Sequence, residues 1–206
     1  MVEALTGCDV LLCESLSSAK KLYQHIGCAA PTMHRYWQRN ESDVVTRIEQ
    51  YRDKAIGLIS DAGVPAISDP GYALVRAYHE KGWKVNVVPG PCAGITALSI
   101  CGLTSDRFCF SGFLPAKSSA RSIQLEQLRN QGMSVVLYES PRRVLGLLED
   151  IVEVYGADHM VFVVKEMTKI HQMYARGPVL DVLKDLQSWQ LKGEFVVIIE
   201  RAKVDP

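Results

Sequence analysis

The sequence lacks both an excess of charge of either sign and a long apolar run. Lys and Arg together number 23, as do Asp and Glu, so the formal net charge is zero. Bulk charge therefore does not favour a nucleic-acid partner, and any RNA contact has to come from local clusters of basic residues. No apolar run approaches the roughly 20 residues that cross a bilayer. The amino terminus also lacks the basic and then apolar pattern of a secretory signal.

The sequence also lacks CxxC motifs and the common nucleotide-binding loops. The six cysteines form no CxxC, and no histidine lies at metal-ligand spacing from them. We therefore expect no metal site and reduced, buried thiols, as is usual in a cytoplasmic protein. Neither GxGxxG nor GxxxxGK[ST] occurs, so the sequence supports neither a Rossmann dinucleotide site nor a P-loop.

Apolar runs alternate with helical patterns along the chain, which predicts an α/β fold. Most runs are continuous, as in strands that are covered on both faces of a parallel or mixed sheet. The predicted strands span 10–13, 55–60, 84–89, 107–112, 134–139, 160–165 and 194–200. Asp69-Pro70 and Ser140-Pro141 each predict a helix start, and a third helix is predicted over about 118–130. The stretch SGFLPAKSSA (111–120) predicts a boundary between a lobe of residues 1–113 and a lobe of residues 114–206.

The segment LISDAGVPAISDPG (58–71) concentrates residues with special backbone behaviour directly behind a predicted strand. In open α/β sheets, ligands bind beyond the carboxyl ends of strands. Gly63 lets the backbone approach a ligand closely, and Asp61 could accept hydrogen bonds from ligand hydroxyls or an amine. The alternative is that Asp61 and Asp69 only cap turns and helices.

A second unusual turn lies in VVPGPCAGITALS (87–99), where Pro89, Gly90 and Pro91 lead into a helix that opens with small residues. The first turn of a helix exposes backbone N–H groups, and small side chains give a ligand access to them. A carboxylate or a purine edge could dock there. The alternative is a tight strand-to-helix turn in which Ala93 and Gly94 pack against a sheet.

Basic residues and one carboxylate stand out in FLPAKSSARS and YESPRR. Lys117, Arg121, Arg142 and Arg143 could gather on one side of the second lobe and hold phosphates of a polyanion. Ordinary solvated charges are the alternative. Glu139 follows an apolar strand, and it could act as a base, orient an arginine or only pair with Arg143.

Together and in this order, the motifs resemble the tetrapyrrole methylase superfamily, and within it the branch that methylates small-subunit ribosomal RNA. The resemblance is carried by LISDAGVPAISDPGY, VVPGPCAGITALSICGL, SDRFCFSGFLPAKSSAR, YESPRRV and KEMTK…RGPV, with KGEFVVIIE near the end of the chain. It implies a two-lobed α/β fold of the class III methyltransferase type, with a parallel-rich amino-terminal sheet and a mixed carboxy-terminal sheet. It further implies S-adenosyl-L-methionine in the cleft between the lobes, and a homodimer.

The same resemblance implies methyl transfer to the ribose 2′-hydroxyl of a cytidine in 16S ribosomal RNA. Carried over position by position, it assigns the cofactor to Asp61, Ala62, Gly63, Val64, Ala93, Gly94 and Tyr138. The two turns add Ser60, Pro89, Gly90 and Pro91 as candidates for cofactor binding. Glu139 is the candidate general base, and the four basic residues are the candidate RNA contacts.

The chain departs from the family pattern at four places, one of which is Gln172, where a glutamate is common after the Thr-Lys pair. Family members open with a strand and a loop of the type PTPIGNLGD, which we expect to be missing here because the chain starts at Met1. They carry Glu-Asp-Thr-Arg where this chain reads ESLS (14–17), and a histidine is replaced in WQRNE (37–41). Two other functions therefore stay open: a non-catalytic homologue that keeps the fold and dimer, and a methylase acting on a tetrapyrrole.

Overall fold

The chain divides into two compact units, of which the first comprises Met1–Cys92 and the second begins at Ala93. A computed structural model describes residues 1–202. The boundary therefore lies earlier than the one predicted after residue 113. The reason is that helix Ala93–Ile100 contributes to the apolar cluster of the second unit, and strand Phe108–Gly112 pairs with the sheet there.

The first unit is built around a three-stranded parallel sheet. Its elements are α1 (Val2–Thr6), β1 (Val10–Cys13), α2 (Leu16–Ile26), β2 (Thr32–Arg35), α3 (Glu41–Thr46), a 3-10 helix (Ile48–Tyr51), β3 (Ile56–Ile59) and α4 (Tyr72–Glu80). The strand order is β2-β1-β3, and the central β1 runs parallel to both neighbours.

All four residues of β1 are buried, because each face of the sheet has its own apolar cluster. Val10 and Leu12 belong to a cluster that contains Leu74 of α4. Leu11 and Cys13 belong to a second cluster, which contains Tyr23 of α2. Successive strand side chains point to opposite faces, so cover on both faces explains the continuous apolar run.

The predicted strand over 84–89 is wrong. Residues 84–92 form no regular structure, and Val85, Val87 and Val88 are 40%, 81% and 44% exposed. Valine favours strands only where its side chain packs and its backbone pairs with a neighbouring strand. No strand of the described residues pairs with this segment.

The second unit contains a five-stranded mixed sheet. Its elements are α5 (Ala93–Ile100), β4 (Phe108–Gly112), α6 (Ser118–Asn130), β5 (Ser134–Glu139), α7 (Val144–Tyr155), β6 (Met160–Lys165), β7 (Met173–Pro178), α8 (Val179–Leu186) and β8 (Phe195–Ile199). The strand order is β4-β5-β8-β6-β7. β4 and β5 are parallel, whereas β8 is antiparallel to both β5 and β6, and β7 is antiparallel to β6.

Helices cover both faces of this sheet as well. Val135 and Leu137 of β5 lie in the larger cluster, which is completed by α6, α7 and α8. Val136 lies in the smaller cluster with Ala97 and Leu98 of α5. The predicted parallel-rich first sheet and mixed second sheet are thus confirmed. No helix among residues 1–202 is long and apolar enough to cross a membrane.

Candidate functional site

The unusual composition of the turn after β3 reflects its backbone conformation, in which several residues take positive φ values. Gly63 has φ of 92°, and Ala66 and Ser68 also take positive φ values of 69° and 62°. Left-handed conformations at non-glycine residues are uncommon and cluster at functional sites. Ser60 Oγ donates to the Gly63 carbonyl at 3.0 Å, which closes the first part of the turn.

Two carboxylates from elsewhere in the first unit fix this turn. Glu14 Oε1 accepts the Asp61 N–H at 3.1 Å. Glu41 Oε1 accepts the N–H groups of Gly71 and Ala73, both at 3.1 Å, at the beginning of α4. The prediction that α4 begins at Pro70 behind an Asp69 cap is therefore wrong, since the helix begins at Tyr72 after Gly71.

Glu41 is itself held by a tyrosine. The Tyr36 hydroxyl donates to Glu41 Oε1 at 2.6 Å. Burial, followed by the hydrogen bond to Glu41, raises the pKa of Tyr36, so this hydroxyl remains a donor at all physiological pH values. The neighbouring Asn40 also has a structural role, because its Oδ1 accepts the Trp37 backbone N–H at 2.8 Å and so holds the turn that carries Glu41.

The two turns singled out in the sequence meet within the first unit. A Cβ atom placed on Gly63 would lie 3.3 Å from the Pro91 carbonyl oxygen, and one on Gly90 would lie 3.5 Å from Val64 Cγ2. Asp61, Ala62 and Gly63 are exposed, as are Pro89, Gly90 and Pro91. Main-chain atoms of both turns are consequently accessible side by side.

Gly94 and Tyr138 lie in the second unit and contact each other. The Gly94 N–H, at the start of α5, donates to the Tyr138 hydroxyl oxygen at 3.0 Å. A Cβ atom on Gly94 would lie only 3.1 Å from Val136 Cγ1, so glycine allows the helix to pack on β5. Ala93, the preceding residue, is exposed. The predicted cofactor residues therefore divide between the two units.

Glu139 is buried and paired. Its side chain is fully buried, with Oε2 3.0 Å from Arg143 Nη2, and its Oε1 accepts the Ser140 N–H at 2.7 Å. Arg143 Nη2 also donates to the carbonyls of Leu114 and Pro115, at 2.5 and 3.2 Å. Of the roles left open for Glu139, the structure shows the pairing with Arg143, and this arrangement argues against a role as a general base.

The four predicted RNA contacts differ sharply in exposure. Arg121 is 5% exposed and lies within an ion pair with Asp150, at 2.5 Å between Nε and Oδ2. It is thereby part of the core and unavailable to phosphate. Lys117 and Arg142 are exposed, whereas Arg143 is half-buried and engaged as described. Helix α7 begins at Val144, later than the predicted start at Pro141.

A surface depression that the sequence did not assign lies at the carboxyl ends of β1, β2 and β3. Its volume is about 490 Å³, and its lining includes Glu14, Ser15, Ser17, Arg35, Trp37 and Asp61. Sequence reasoning missed it because β2, which reads TMHR, has no apolar pattern and was not predicted as a strand. The departures ESLS and WQRNE from the family pattern were the available signal, since both supply residues to the lining.

Comparison with known proteins identifies relatives over nearly the whole chain. The family of tetrapyrrole (corrin/porphyrin) methylases matches residues 1–182. Ribosomal RNA small subunit methyltransferase I of Escherichia coli O157:H7 is 39% identical over 205 residues, covering 98% of this chain and 72% of the relative. The Haemophilus influenzae protein of the same name is 38% identical over 208 residues, covering 97% of this chain and 71% of the relative.

A solved structure supports the fold independently. The methyltransferase CobJ superposes with a TM-score of 0.68 at 16% identity, covering 99% of this chain and 87% of that protein. At this level of identity the likeness speaks for the fold alone. Because the family match spans most of the chain and the sequence relatives exceed 30% identity, the chain belongs to the tetrapyrrole methylase family, in its ribosomal RNA small subunit methyltransferase I group.

Proposed function

We propose that this protein transfers the methyl group of S-adenosyl-L-methionine to the ribose 2′-hydroxyl of a cytidine in 16S ribosomal RNA. Relatives named as small-subunit ribosomal RNA methyltransferases support the reaction class and the substrate. The observation that carries the proposal is the meeting of the turns at Gly63 and Pro91, where exposed main chain from two positions converges. Such a place suits a nucleoside cofactor with polar groups at its amino-acid and ribose ends.

The residues of these turns fit the cofactor in size and chemistry. A side chain on Gly63 would fill the space against the Pro91 carbonyl, so glycine keeps it open. The exposed Asp61 carboxylate suits the ammonium group or the ribose hydroxyls of the cofactor, and its N–H is fixed by Glu14. The bound cofactor supplies an electrophilic methyl group, while the protein supplies position. We assign Ser60, Ala62 and Val64, which belong to the same turn as Asp61 and Gly63, to cofactor binding as well.

Within the second unit, we assign Ala93 and Tyr138 to cofactor binding. Gly94 acts through packing, since its missing side chain lets α5 approach β5. The Tyr138 hydroxyl is positioned by the Gly94 N–H, and its ring lies edge-on to Phe110 with centroids 5.0 Å apart. These contacts hold the aromatic ring in one orientation.

Lys117 and Arg142 are the proposed contacts to RNA phosphates in this unit. Both side chains are exposed, and the segments that carry them are joined by Arg143, which donates to the carbonyls of Leu114 and Pro115. Glu139 positions Arg143 through their ion pair. Charge-assisted contacts to phosphate fix the orientation of a nucleic acid without reading its sequence.

We further propose that the protein is a homodimer and works in the cytoplasm, where ribosomal RNA is found. Large apolar side chains remain exposed on the chain, among them Ile170 at 97% and Tyr174 at 64%. Exposed apolar groups of this kind are typical of interaction surfaces when they are contiguous. Light scattering on the purified protein measures the mass directly, and a monomer at micromolar concentration would contradict the dimer.

The reaction is tested by incubating the purified chain with methyl-tritiated cofactor and small ribosomal subunits. We expect label in the RNA at one cytidine. A substrate fragment with 2′-deoxycytidine at that position has no acceptor hydroxyl, so it should receive no label. Label that persists on the deoxy fragment would show methylation of a base instead of the ribose.

Cofactor binding separates the other two functions. Calorimetric titration with S-adenosyl-L-methionine should show binding to this chain in the absence of RNA. Binding followed by transfer to a tetrapyrrole but not to ribosomal subunits would favour the small-molecule methylase. No transfer to either substrate, with or without cofactor binding, would favour the non-catalytic homologue.

A further inference from the structure

The lining of the depression at the carboxyl ends of the first sheet includes Trp37 and Arg35, and Arg39 lies over the same indole ring from outside the lining. The Cζ atom of Arg35 lies 4.7 Å from the ring centroid of Trp37, and that of Arg39 lies 5.4 Å from it. Both arginines are exposed, and the indole is half-buried. An aromatic ring between basic side chains is the combination with which proteins bind unpaired nucleotides.

The backbone of Trp37 is held by its own turn. Asn40 accepts the Trp37 N–H at 2.8 Å and donates through Nδ2 to the Arg35 carbonyl at 2.8 Å. The next residue, Glu41, is tied to Tyr36 and to the beginning of α4. The backbone that carries the indole is therefore fixed before any ligand arrives, which reduces the ordering required on binding.

The remaining lining is polar and of mixed charge. Glu14 contributes a carboxylate, and Ser15 and Ser17 contribute hydroxyls, whereas Asp61, at the border of the depression, is assigned to the cofactor by the proposed function. Carboxylates repel an isolated phosphate, but they accept hydrogen bonds from the amino groups of bases and from ribose hydroxyls. The combination suits a whole nucleotide, whose phosphate meets an arginine while its base and sugar meet the other groups. The volume of about 490 Å³ lies within the range of small-molecule sites.

We propose that this depression binds one unpaired nucleotide of the RNA substrate, with its base stacked on Trp37 and its phosphate bound by Arg35 or Arg39. The inference rests on the proposed function, and it adds a substrate subsite within the first unit. A base stacks on an indole more strongly than an exposed guanidinium does. The arginine that it displaces is then able to reach the phosphate.

The proposal is tested by fluorescence anisotropy with a short fluorescein-labelled RNA without base pairing, in the absence of cofactor. Trp37→Ala should weaken binding about tenfold, because a stacking platform is lost. Trp37→Phe keeps a stacking surface and should bind within about threefold of the unaltered protein. Arg52→Ala is the matched control: Arg52 is exposed in the same unit but does not line the depression, and it should bind normally.

Tryptophan emission gives a second readout that loss of fold would not imitate. RNA should quench the emission of the unaltered protein, and most of this quenching should vanish in Trp37→Phe while binding persists. Circular dichroism melting establishes that each variant is folded. Unchanged RNA affinity in a folded Trp37→Ala variant would overturn the proposal, as would equal quenching in Trp37→Phe.

The outcome is distinguishable from failure of the proposed function. If Trp37→Ala binds RNA and transfers methyl groups normally, the subsite is wrong and the methyltransferase stands. If RNA binding depends on Trp37 while no variant transfers a methyl group, the subsite stands and the reaction is wrong. If cofactor alone quenches Trp37, and Trp37→Ala loses cofactor but not RNA, the depression belongs to the cofactor and the subsite is overturned.

Discussion

The ion pair of Arg121 and Asp150 tests whether a basic residue in an RNA-binding pattern belongs to the core. Their side chains are 6% and 8% exposed, and Arg121 Nη2 also donates to the Gly146 carbonyl at 3.0 Å. Ser118 Oγ donates to the other oxygen of Asp150 at 2.8 Å. Replacing Arg121 by methionine keeps most of the aliphatic volume but leaves the Asp150 carboxylate buried without its cation.

The magnitude follows from this loss of one partner. Removing one member of a buried ion pair costs about 3–5 kcal/mol, because the remaining charge stays desolvated. For a chain of this length, each kcal/mol lowers the Tm by about 2–4 °C, so Arg121→Met should lower it by roughly 6 to 20 °C. The double variant Arg121→Met/Asp150→Leu removes both charges and should recover most of the lost stability.

Urea unfolding followed by circular dichroism measures the stability, and RNA binding at several salt concentrations measures the phosphate contacts. Each phosphate contact that is lost lowers the slope of log K against log salt by about 0.7 to 0.9. We expect the slope of folded Arg121→Met to equal that of the unaltered protein. Normal stability together with a reduced slope would refute the reasoning, since Arg121 would then contact RNA.

Three further outcomes follow from the described contacts. Gly63→Ala should weaken cofactor binding at least about tenfold, because the new side chain is strained at positive φ and contacts the Pro91 carbonyl. Gly82→Ala is the control: Gly82 has φ of 69°, so the strain is comparable, but no atom lies within 4 Å of the added Cβ. This variant should bind the cofactor normally in calorimetry. Lys117→Ala and Arg142→Ala should each lower the salt slope of RNA binding by about one and leave the Tm unchanged, and equal slopes would contradict their assignment. The hydrogen bond from Lys169, and after it the one from the Glu194 N–H, lowers the pKa of Glu166. The charged form of Glu166 therefore stabilises the fold above about pH 4.3, and this contribution is lost as the pH falls through the lowered pKa. Glu166→Gln should flatten the acid side of a plot of Tm against pH, and an unchanged plot would argue against a stabilising role of the Glu166 charge.

Local pattern was sufficient for the elements with the most regular surroundings. β1, β5, β6 and β8 read as continuous apolar runs because helices cover both faces of their sheets, and their predicted positions agree with the structure within a residue or two. The strand at 84–89 has the same composition but no partner among the described residues, so composition alone misled. Strands β2 and β7 were missed because neither has a continuous apolar run.

In the candidate site, too, some features follow from the local sequence and others depend on tertiary contacts. The sequence by itself determined the turn at Gly63, because positive φ and close backbone approach are local properties that glycine satisfies wherever it occurs. Only the tertiary structure decided that Arg121 is buried, since Asp150 lies 29 positions further along the chain. It likewise brought Glu14, Trp37 and Asp61 to one depression, because the carboxyl ends of parallel strands meet at one edge of a sheet whatever their separation in sequence. Side-chain charge and aromaticity are written in the sequence, but their partners, and hence their roles, depend on contacts between residues that are distant along the chain.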